Sequence, residues 1–475
     1  MEVEQFYYDN RIVKKFALAT MLFGLVGMLV GLTVALQFVF PQMTYGIDFL
    51  SFGRLRPLHT NAIIFAFVGN GIFTGVYYSL QRLLKARMYS DVLSNIHFWG
   101  WQLIIVAAAI TLPLGLTSSK EYAELEWPID IAIALIWIVF GINMFGTLIK
   151  RRTRHIYVAI WFYIATWVTV TMLHVVNNLE LPVYFFKSYS LYAGVQDALV
   201  QWWYGHNAVA FVFTTPIIAI IYYFLPKEAG QNVYSYKLSI LAFWGLMFVY
   251  LWAGGHHLAY STVPDWMQTM GTVMSVVLIL PSWGSAINML LTMKGEWGQL
   301  QSSPLIKFMV MASTFYMLST IEGPIQAIKS VNAIAHFTDW IPGHVHDGTL
   351  GWVAFMVMSA LFHMAPRMYG REIYSKSLME TQFWLQTTAI VLYFTSMWIA
   401  GITQGMMWRA YDEYGSLLYS FIDTVTVLQP YYTIRAVGGL MFLIGFFIFA
   451  YNMYKTATCG RVLDKEPANA SPMGA

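Results

Sequence analysis

The stretch Pro342-Gly343-His344-Val345-His346-Asp347 opens one apolar segment of the chain and decides how the rest is interpreted. An α-helix turns about 100° per residue, so side chains two positions apart point to nearly opposite faces. His344 and His346 would therefore leave one helix in opposite directions, and each could hold a separate planar cofactor. The alternative, in which one histidine caps the helix and the other packs in its core, stays open for this pair alone.

The composition indicates a polytopic membrane protein. Of the 475 residues, 58% are hydrophobic and only 11% are charged, and the mean hydropathy is +0.56. A soluble protein of this size carries more charge. The single cysteine, Cys459, excludes a disulfide framework, an iron–sulfur site and a covalently attached c-type haem on this chain. Any c-type haem must belong to a partner, and the net charge of +3 gives no indication of nucleic-acid binding.

Twelve apolar runs of about 20 residues or more, each long enough to cross ~30 Å of hydrocarbon, divide the sequence between about 16 and 455. They are predicted at 16–40, 58–81, 94–116, 128–149, 156–179, 200–225, 238–258, 267–292, 308–328, 344–365, 382–406 and 431–454. The connecting loops are short, and the sequence shows no linker and no internal repeat. Residues 1–475 are therefore expected to form one membrane domain, an all-α bundle of about twelve transmembrane helices, with a disordered cytoplasmic tail at 456–475.

The distribution of Lys and Arg predicts the orientation of the bundle. Most of the 27 Lys and Arg residues fall on one side of the predicted spans. Loops on the cytoplasmic side are enriched in these residues, so both termini are expected in the cytoplasm, as an even number of spans requires.

Six of the eleven histidines share one predicted depth, near the outer ends of four spans. They are His59, His206, His256, His257, His344 and His346. Ionisable side chains at this depth are costly and usually functional. The other five are expected to be structural: His97, His155 and His363 at the cytoplasmic side, and His174 and His336 at the outer side.

The six histidines suggest two kinds of site. His206 and the adjacent pair His256-His257 supply three imidazoles, which suits copper or another late first-row metal. His59 could face one of the two histidines of the opening stretch across a haem. Two axial imidazoles give an electron-transfer haem, whereas one imidazole leaves a position open for a gas ligand. An open haem facing a three-histidine metal is a site for reducing a small diatomic molecule.

Four motifs resemble those of a known family. They are Arg54-Leu55-Arg56-Pro57-Leu58-His59, Trp202-Trp203-Tyr204-Gly205-His206-Asn207, Tyr250-Leu251-Trp252-Ala253-Gly254-Gly255-His256-His257 and Pro342-Gly343-His344-Val345-His346. The chain resembles the catalytic subunit I of haem–copper terminal oxidases, and more narrowly the C family (cbb-type), the cytochrome c oxidases with b-type haems and c-type cytochrome subunits. The resemblance covers essentially the whole chain.

The resemblance implies a role for each histidine. His59 and His346 would ligate a low-spin haem b, His344 a high-spin haem b, and His206, His256 and His257 copper B. It further implies reduction of dioxygen to water with electrons from membrane-anchored mono-haem and di-haem c-type cytochrome subunits, coupled to proton translocation. The implied setting is a bacterial inner membrane, with a small accessory subunit as a further candidate partner.

One position departs from the commonest oxidase branch, which has a tyrosine four residues after the first copper histidine. Ala210 stands there in this chain. The C family takes its tyrosine from the next helix, and Tyr250 fits, because it lies about two turns, or ~9 Å, before His256. Its implied task is to give one electron and one proton when the O–O bond breaks. The alternative is that Tyr250 is one more core aromatic among 30 tyrosines.

A polar route from the cytoplasm is expected to lead to Tyr250. Ser239 lies three helical turns before Tyr250 on the same face. The other candidates for this route are Tyr236, Thr214 and Tyr316. Serine and threonine in membrane helices more often bond their own backbone, which is the alternative for those residues.

Charged and aromatic residues near the histidines are further candidates. Glu322, the one carboxylate predicted well inside an apolar run, would load protons or partner a charge at the haem site. Arg56 precedes His59 by one turn and could pair with haem propionates. Arg435 is a further candidate for this contact, and Trp203 could donate its indole N–H to the same propionates. The resemblance suggests calcium near the propionates with Glu121 as a ligand, although a solvated acidic loop explains the same residues.

A nitric oxide reductase is the nearest alternative, since it shares twelve spans and six histidines but holds a non-haem iron. That iron requires an added carboxylate near the first metal histidine, whereas position 210 is alanine and the span 200–225 has no acid. Tyr250 also favours the oxidase. A twelve-span secondary transporter would show inverted repeats and would leave the histidine layer unexplained, as would a purely structural subunit.

Overall fold

The computed structural model describes residues 7–463, and within this range twelve helices are long and apolar enough to cross a membrane. They are α1 (Asn10–Val39), α2 (Phe52–Leu83), α3 (Asp91–Leu114), α4 (Trp127–Ile149), α5 (Val158–Asn177), α6 (Gly194–Ala229), α7 (Tyr236–Leu258), α8 (Asp265–Thr292), α9 (Pro304–Ala327), α10 (Trp340–Tyr369), α11 (Lys376–Met407) and α12 (Phe421–Cys459). The predicted all-α fold with about twelve spans is confirmed.

Three of these helices form the buried centre of the bundle. The most apolar window is 94% buried in α2 and 89% buried in α6 and α10, against 33–50% in the other nine. Each central helix contains a π-helical segment that begins one to three residues after a histidine; these segments are Ala62–Val68, Val209–Thr214 and Asp347–Ala354. Such wide turns inside helices occur frequently at functional sites.

The connections at the end of the bundle opposite the six histidines reveal a threefold internal repeat. A Tyr-Ser pair precedes α3, α7 and α11, and its serine caps the helix by accepting a backbone N–H. The pairs are Tyr89-Ser90, Tyr234-Ser235 and Tyr374-Ser375. Each pair meets an Asn-Met-x-x-Thr motif near the end of α4, α8 or α12.

The contacts are the same in all three copies. The serine backbone N–H donates to the asparagine Oδ1 at 3.0, 2.8 and 3.1 Å, and the tyrosine backbone N–H donates to the threonine Oγ1 at 2.9, 3.2 and 3.0 Å. The asparagines are Asn143, Asn288 and Asn452, and the threonines are Thr147, Thr292 and Thr456. The expectation of no internal repeat is therefore wrong. The three copies share only a few residues, about 140 positions apart, so the sequences of the copies are otherwise dissimilar.

The repeat also relates the candidate ligands. Aligned on the capping serines, α2, α6 and α10 place His59, Tyr204 and His344 at one position and Asn61, His206 and His346 two residues later. The same two helix positions thus supply four of the six histidines.

Smaller elements cover the two ends of the bundle. The antiparallel strands β1 (Glu180–Tyr184) and β2 (Lys187–Ser190) form a hairpin after α5, which the apolar runs do not predict. Short helices occupy Pro41–Thr44, Asp48–Leu50, Gln299–Ser302 and Lys329–Ala335.

The predicted tail at 456–475 needs a correction at its start. Helix α12 continues to Cys459, and Val462 then forms an antiparallel bridge with Arg371. The backbone N–H of Leu463 donates to the Gly370 carbonyl oxygen at 3.0 Å, so 456–463 belong to the folded chain. Residues 464–475 lie outside the described residues.

Candidate metal and haem centre

Three histidines form a group that could hold a metal ion. One ligand atom from each of His206, His256 and His257 lies within 4.8 Å of the others, and residues 7–463 contain no second such group of three or more His, Cys, Asp or Glu. The Nε2 atom of His206 is buried and has no hydrogen-bond partner. A buried ring nitrogen without a partner fits a metal ligand.

The backbone bends sharply to present two adjacent histidines. Helix α7 ends in the 3₁₀ turn Gly254–Leu258, which contains both of them. A Cβ atom on Gly255 would come within 2.8 Å of the Met267 carbonyl oxygen, and one on Gly271 would overlap the backbone at His256. Glycine at these positions lets the turn lie directly against α8.

Neighbouring helices support two of the imidazoles, α8 for His256 and α6 for His257. The Nδ1 atom of His256 lies 2.7 Å from the Ser275 Oγ, which itself donates to the Gly271 carbonyl oxygen at 2.6 Å. His256 Nδ1 is then the donor, which leaves Nε2 for a metal. His257 stacks on Trp202, with ring centroids 4.3 Å apart and planes 14° from parallel.

His59 and His346 face each other across a gap. Their ring centroids are 6.3 Å apart and their planes differ by 13°. Each Nδ1 contacts a carbonyl oxygen, that of Gly27 at 2.9 Å and that of Pro342 at 2.7 Å, so Nδ1 carries the proton and Nε2 carries the lone pair that a metal ion needs. Imidazoles bind metals at about 2 Å, which puts the centroids of two rings on one iron about 6 Å apart. The two imidazoles would therefore suit one haem iron held between them.

The surroundings of this pair include a residue that the sequence analysis missed. Tyr393 stacks on His346 with a centroid distance of 4.5 Å, and its hydroxyl lies 3.4 Å from Nε2. Arg435 Nε donates to the same hydroxyl at 3.0 Å, and Arg435 Nη1 lies 3.6 Å from Asp339. A tyrosine among 30 gave no signal in the sequence. Tyr393 thus links Arg435 to His346, since it contacts both side chains.

His344 leaves its helix toward a different partner, as the spacing predicts. Its Nδ1 lies 3.2 Å from Glu322 Oε2, and Glu322 also accepts from Trp340 Nε1 at 2.7 Å. Glu322 is 5% exposed, so its carboxylate is held in a dry network beside this imidazole. A negative partner makes the imidazole a more basic metal ligand.

Glu322 is not the one carboxylate inside the spans, contrary to the sequence analysis. Asp347, directly after His346, is 0% exposed, and neither of its oxygens has a hydrogen-bond partner. Asp347 lies near the start of the predicted span 344–365, so its complete burial was not predicted.

Tyr250 lies beside the three-histidine group. Its ring centroid is 5.6 Å from that of His206, and its side chain is 8% exposed. Thr214 and Tyr316 both lie near its side chain. The Tyr316 hydroxyl is buried and unpartnered.

The two lower residues of the predicted route lie farther along the same helix. Ser239 Oγ donates to the Tyr236 carbonyl oxygen at 2.6 Å, so its hydroxyl follows the backbone-bonding alternative. The Tyr236 hydroxyl lies 3.1 Å from His155 Nε2 at the surface. The structure thus brings Thr214 and Tyr316 to Tyr250 and leaves the other two near the opposite end of the bundle.

Arg56 and Asn61, on either side of His59 in α2, contact acidic residues of the loop between α3 and α4. Arg56 forms an ion pair with Glu121, so this carboxylate is not merely solvated. Asn61 Nδ2 donates to Glu124 Oε2 at 2.9 Å, and burial raises the pKa of Glu124. Trp203 is half-buried against the core.

The five histidines expected to be structural make protein contacts. His97 lies 3.1 Å from the Tyr77 hydroxyl, His155 contacts Tyr236, His174 contacts the Asp130 carbonyl oxygen, His363 contacts Glu228, and His336 stacks on Phe337.

Comparison with known proteins identifies the family. The family model for cytochrome C and quinol oxidase polypeptide I matches residues 11–441. The chain belongs to this family. The predicted resemblance to haem–copper oxidases is confirmed, the family implies haem and copper, and the chain is a multi-pass membrane protein.

Individual relatives of the oxidase family agree. The chain is 51% identical to the Cbb3-type cytochrome c oxidase subunit CcoN1 of Stutzerimonas stutzeri, over 97% of this chain and 98% of the relative. It is 48% identical to cytochrome c oxidase subunit 1 of Rhodobacter capsulatus, over 98% of this chain and 87% of the relative. Identity to a nitric oxide reductase chain of Stutzerimonas stutzeri is 23%, over 94% of each chain.

A solved structure agrees on the fold. A haem–copper terminal oxidase dimer matches with a TM-score of 0.79 at 18% identity, covering 97% of this chain and 86% of that one.

Proposed function

We propose that the chain is the catalytic subunit of a C-family cytochrome c oxidase that reduces dioxygen to water with electrons from c-type cytochromes, coupled to proton translocation. The observation that carries the proposal is the three-histidine group with ligand atoms within 4.8 Å, next to Tyr250. Identities of about half to oxidase subunits over nearly the whole chain support it.

The cofactors proposed are two b-type haems and copper B. His59 and His346 would hold the low-spin haem, His344 the high-spin haem, and His206, His256 and His257 the copper. When bound, haem and copper supply electron transfer and dioxygen binding. The chain holds three of these imidazoles in fixed orientations. The Nδ1 atoms of His59, His346 and His256 are each hydrogen-bonded to a neighbouring group, which fixes the plane of the ring.

Tyr250 is proposed to hold a proton at its hydroxyl beside the metal group. Protons would reach this hydroxyl along polar side chains of α6, α7 and α9, which lie on the cytoplasmic side of it. Thr214 and Tyr316 would make the upper part of this route, and Ser239 and Tyr236 the lower part.

The remaining candidates act on the outer side. Arg56, Arg435 and Trp203 would contact haem propionates, since guanidinium groups match carboxylates well. Glu121 would ligate calcium near those propionates, sharing its carboxylate with Arg56. Glu322 is proposed to position His344.

The proposed assembly contains membrane-anchored mono-haem and di-haem c-type cytochromes and a small subunit. Both termini are proposed to face the cytoplasm of a bacterial inner membrane, from the Lys and Arg distribution. The nine outer helices expose apolar side chains that suit the lipid bilayer, and one domain would span the chain.

A nitric oxide reductase is disfavoured by the metal group itself. Among residues 7–463, no carboxylate joins the three histidines within 4.8 Å. The Glu322 carboxylate is instead hydrogen-bonded to His344.

Elemental mass spectrometry of the detergent-purified chain tests the proposal. We expect about one copper atom and two haem irons per chain, with copper lost in a His206→Ala variant. Copper absent from the wild type, with iron in excess of haem, would indicate a reductase.

A further inference from the structure

Three cations occupy one equivalent position in the threefold repeat. Aligned on the capping serines, Arg82, Lys227 and Arg367 lie at the same place in α2, α6 and α10, at the ends opposite the six histidines. Lys227 lies within electrostatic range of both arginines. The three central helices therefore converge on one cluster of positive charge.

A buried ring platform lies under the cluster. One turn before each cation stand Tyr78, Tyr223 and His363, which are 1%, 4% and 2% exposed. The ring of Tyr78 meets those of Tyr223 and His363 edge to face, with centroids 6.2 and 6.4 Å apart. The platform closes the centre of the bundle beneath the charges.

Each cation is seated on its own member of this platform. The Arg82 guanidinium lies 3.5 Å from the Tyr78 ring centroid, and Lys227 Nζ lies 5.0 Å from that of Tyr223. Arg367 Nη1 donates to the His363 carbonyl oxygen at 2.9 Å. These contacts orient the charges but neutralise none of them.

The acidic side chain next to the cluster is already engaged. The Glu228 carboxylate is hydrogen-bonded to His363, in range of Arg367. Among the ion pairs described for residues 7–463, none joins a carboxylate to Arg82, Lys227 or Arg367. Arg82 has a neutral partner, Asn10 Oδ1, at 3.1 Å.

We propose that this cluster binds a phosphate group. The positive-inside tendency places cations on the cytoplasmic side but does not require them to converge. Here Lys227 and the two arginines carry like charges, and the repulsion of Lys227 by both of them is unfavourable. An anion with several oxygens relieves this repulsion, and guanidinium groups match phosphate oxygens in pairs. The exposed side chains of Lys227 and Arg367 leave the cluster open to a ligand. The site is independent of the proposed oxidase activity.

The phosphate could belong to an anionic phospholipid or to a free phosphate in the cytoplasm. Basic pockets between helices on this side bind lipid head groups. Two experiments separate these sources. In the first, the purified complex is placed in phosphatidylcholine nanodiscs, phosphatidylglycerol is added stepwise, and the lipid retained by the protein is measured by native mass spectrometry. In the second, the same sample is titrated with inorganic phosphate and binding is measured by calorimetry.

The variant is the triple substitution Arg82→Gln, Lys227→Gln and Arg367→Gln. Its matched control, Lys150→Gln, Arg151→Gln and Arg154→Gln, removes three exposed cations from the α4–α5 loop. Each cation removed from the cluster is expected to weaken binding about fivefold, and the control to leave it unchanged. Binding in one arm that the triple variant loses identifies the source.

Two results would overturn the proposal: no saturable binding in either arm, or equal weakening in both triple variants. Arg82 also packs on Tyr78, so the triple variant removes a packing contact as well as charge. The single variant Lys227→Gln changes an exposed side chain, and unchanged haem absorption shows that it folds. If that variant folds and binds both phosphate sources like the wild type, Lys227 is not part of a site.

Discussion

His256 Nδ1 lies 2.7 Å from Ser275 Oγ, and the same hydroxyl donates to the carbonyl oxygen of Gly271 one turn earlier on α8. This chain of two hydrogen bonds fixes both the tautomer and the ring plane of one candidate copper ligand. The glycines at 255 and 271 make the chain possible by letting the 3₁₀ turn touch α8. The metal group thus depends on a helix that contributes none of its ligands.

Replacing Ser275 tests this support. Ser275→Ala leaves His256 Nδ1 without a partner, and loss of such a supporting hydrogen bond typically costs about 10–100-fold in metal affinity. We expect copper to leave this variant faster during dialysis against a chelator, while the two-haem content stays unchanged. Ser275→Thr keeps the hydroxyl and should restore copper retention. Equal copper loss from the wild type and Ser275→Ala would contradict the assignment.

Glu322 is predicted to act through His344. In Glu322→Gln, one carbonyl oxygen remains for two donors, Trp340 Nε1–H and His344 Nδ1–H. The imidazole should become a weaker electron donor, with a lower iron–histidine stretching frequency in resonance Raman spectra and, as is typical for a lost supporting partner, about tenfold lower turnover. Gln326→Ala, which removes a longer 3.3 Å contact to Glu322, serves as the control. An unchanged frequency in Glu322→Gln would exclude a positioning role.

The sequence predicted what depends on local pattern and missed what depends on contacts between distant segments. Apolar length determined the twelve spans, and a two-residue spacing directed His344 and His346 to different partners. Ser275 and Tyr393 have ordinary surroundings in the sequence and acquire meaning when α8 and α11 pack against the ligands. The roles of the site residues stay predictions.

The Asn-Met-x-x-Thr clamps are predicted to stabilise the bundle. Asn452 is 0% exposed, accepts from the Ser375 backbone N–H at 3.1 Å and donates to its carbonyl oxygen at 2.8 Å. Asn452→Ala leaves the backbone N–H and carbonyl group of Ser375 without their partner, which costs about 1–3 kcal/mol of stability for each buried group. Thermal unfolding in detergent should shift downward with haem content intact. Asn95→Ala, at an exposed position, should leave the unfolding temperature unchanged.

Tyr250 provides the sharpest test of the proposed chemistry, because removing one oxygen atom separates its chemical role from its packing. Tyr250→Phe keeps a ring 5.6 Å from His206 but removes the hydroxyl near Thr214. We expect dioxygen reduction to fall at least about 100-fold, as loss of a proton donor in a reaction commonly does, with copper and haem content unchanged. Tyr163→Phe, which removes a buried hydroxyl bonded to Ser79 at 2.8 Å, controls for burial of a tyrosine as such. Near-normal turnover in Tyr250→Phe would leave this residue a core aromatic and require another proton donor beside the three histidines.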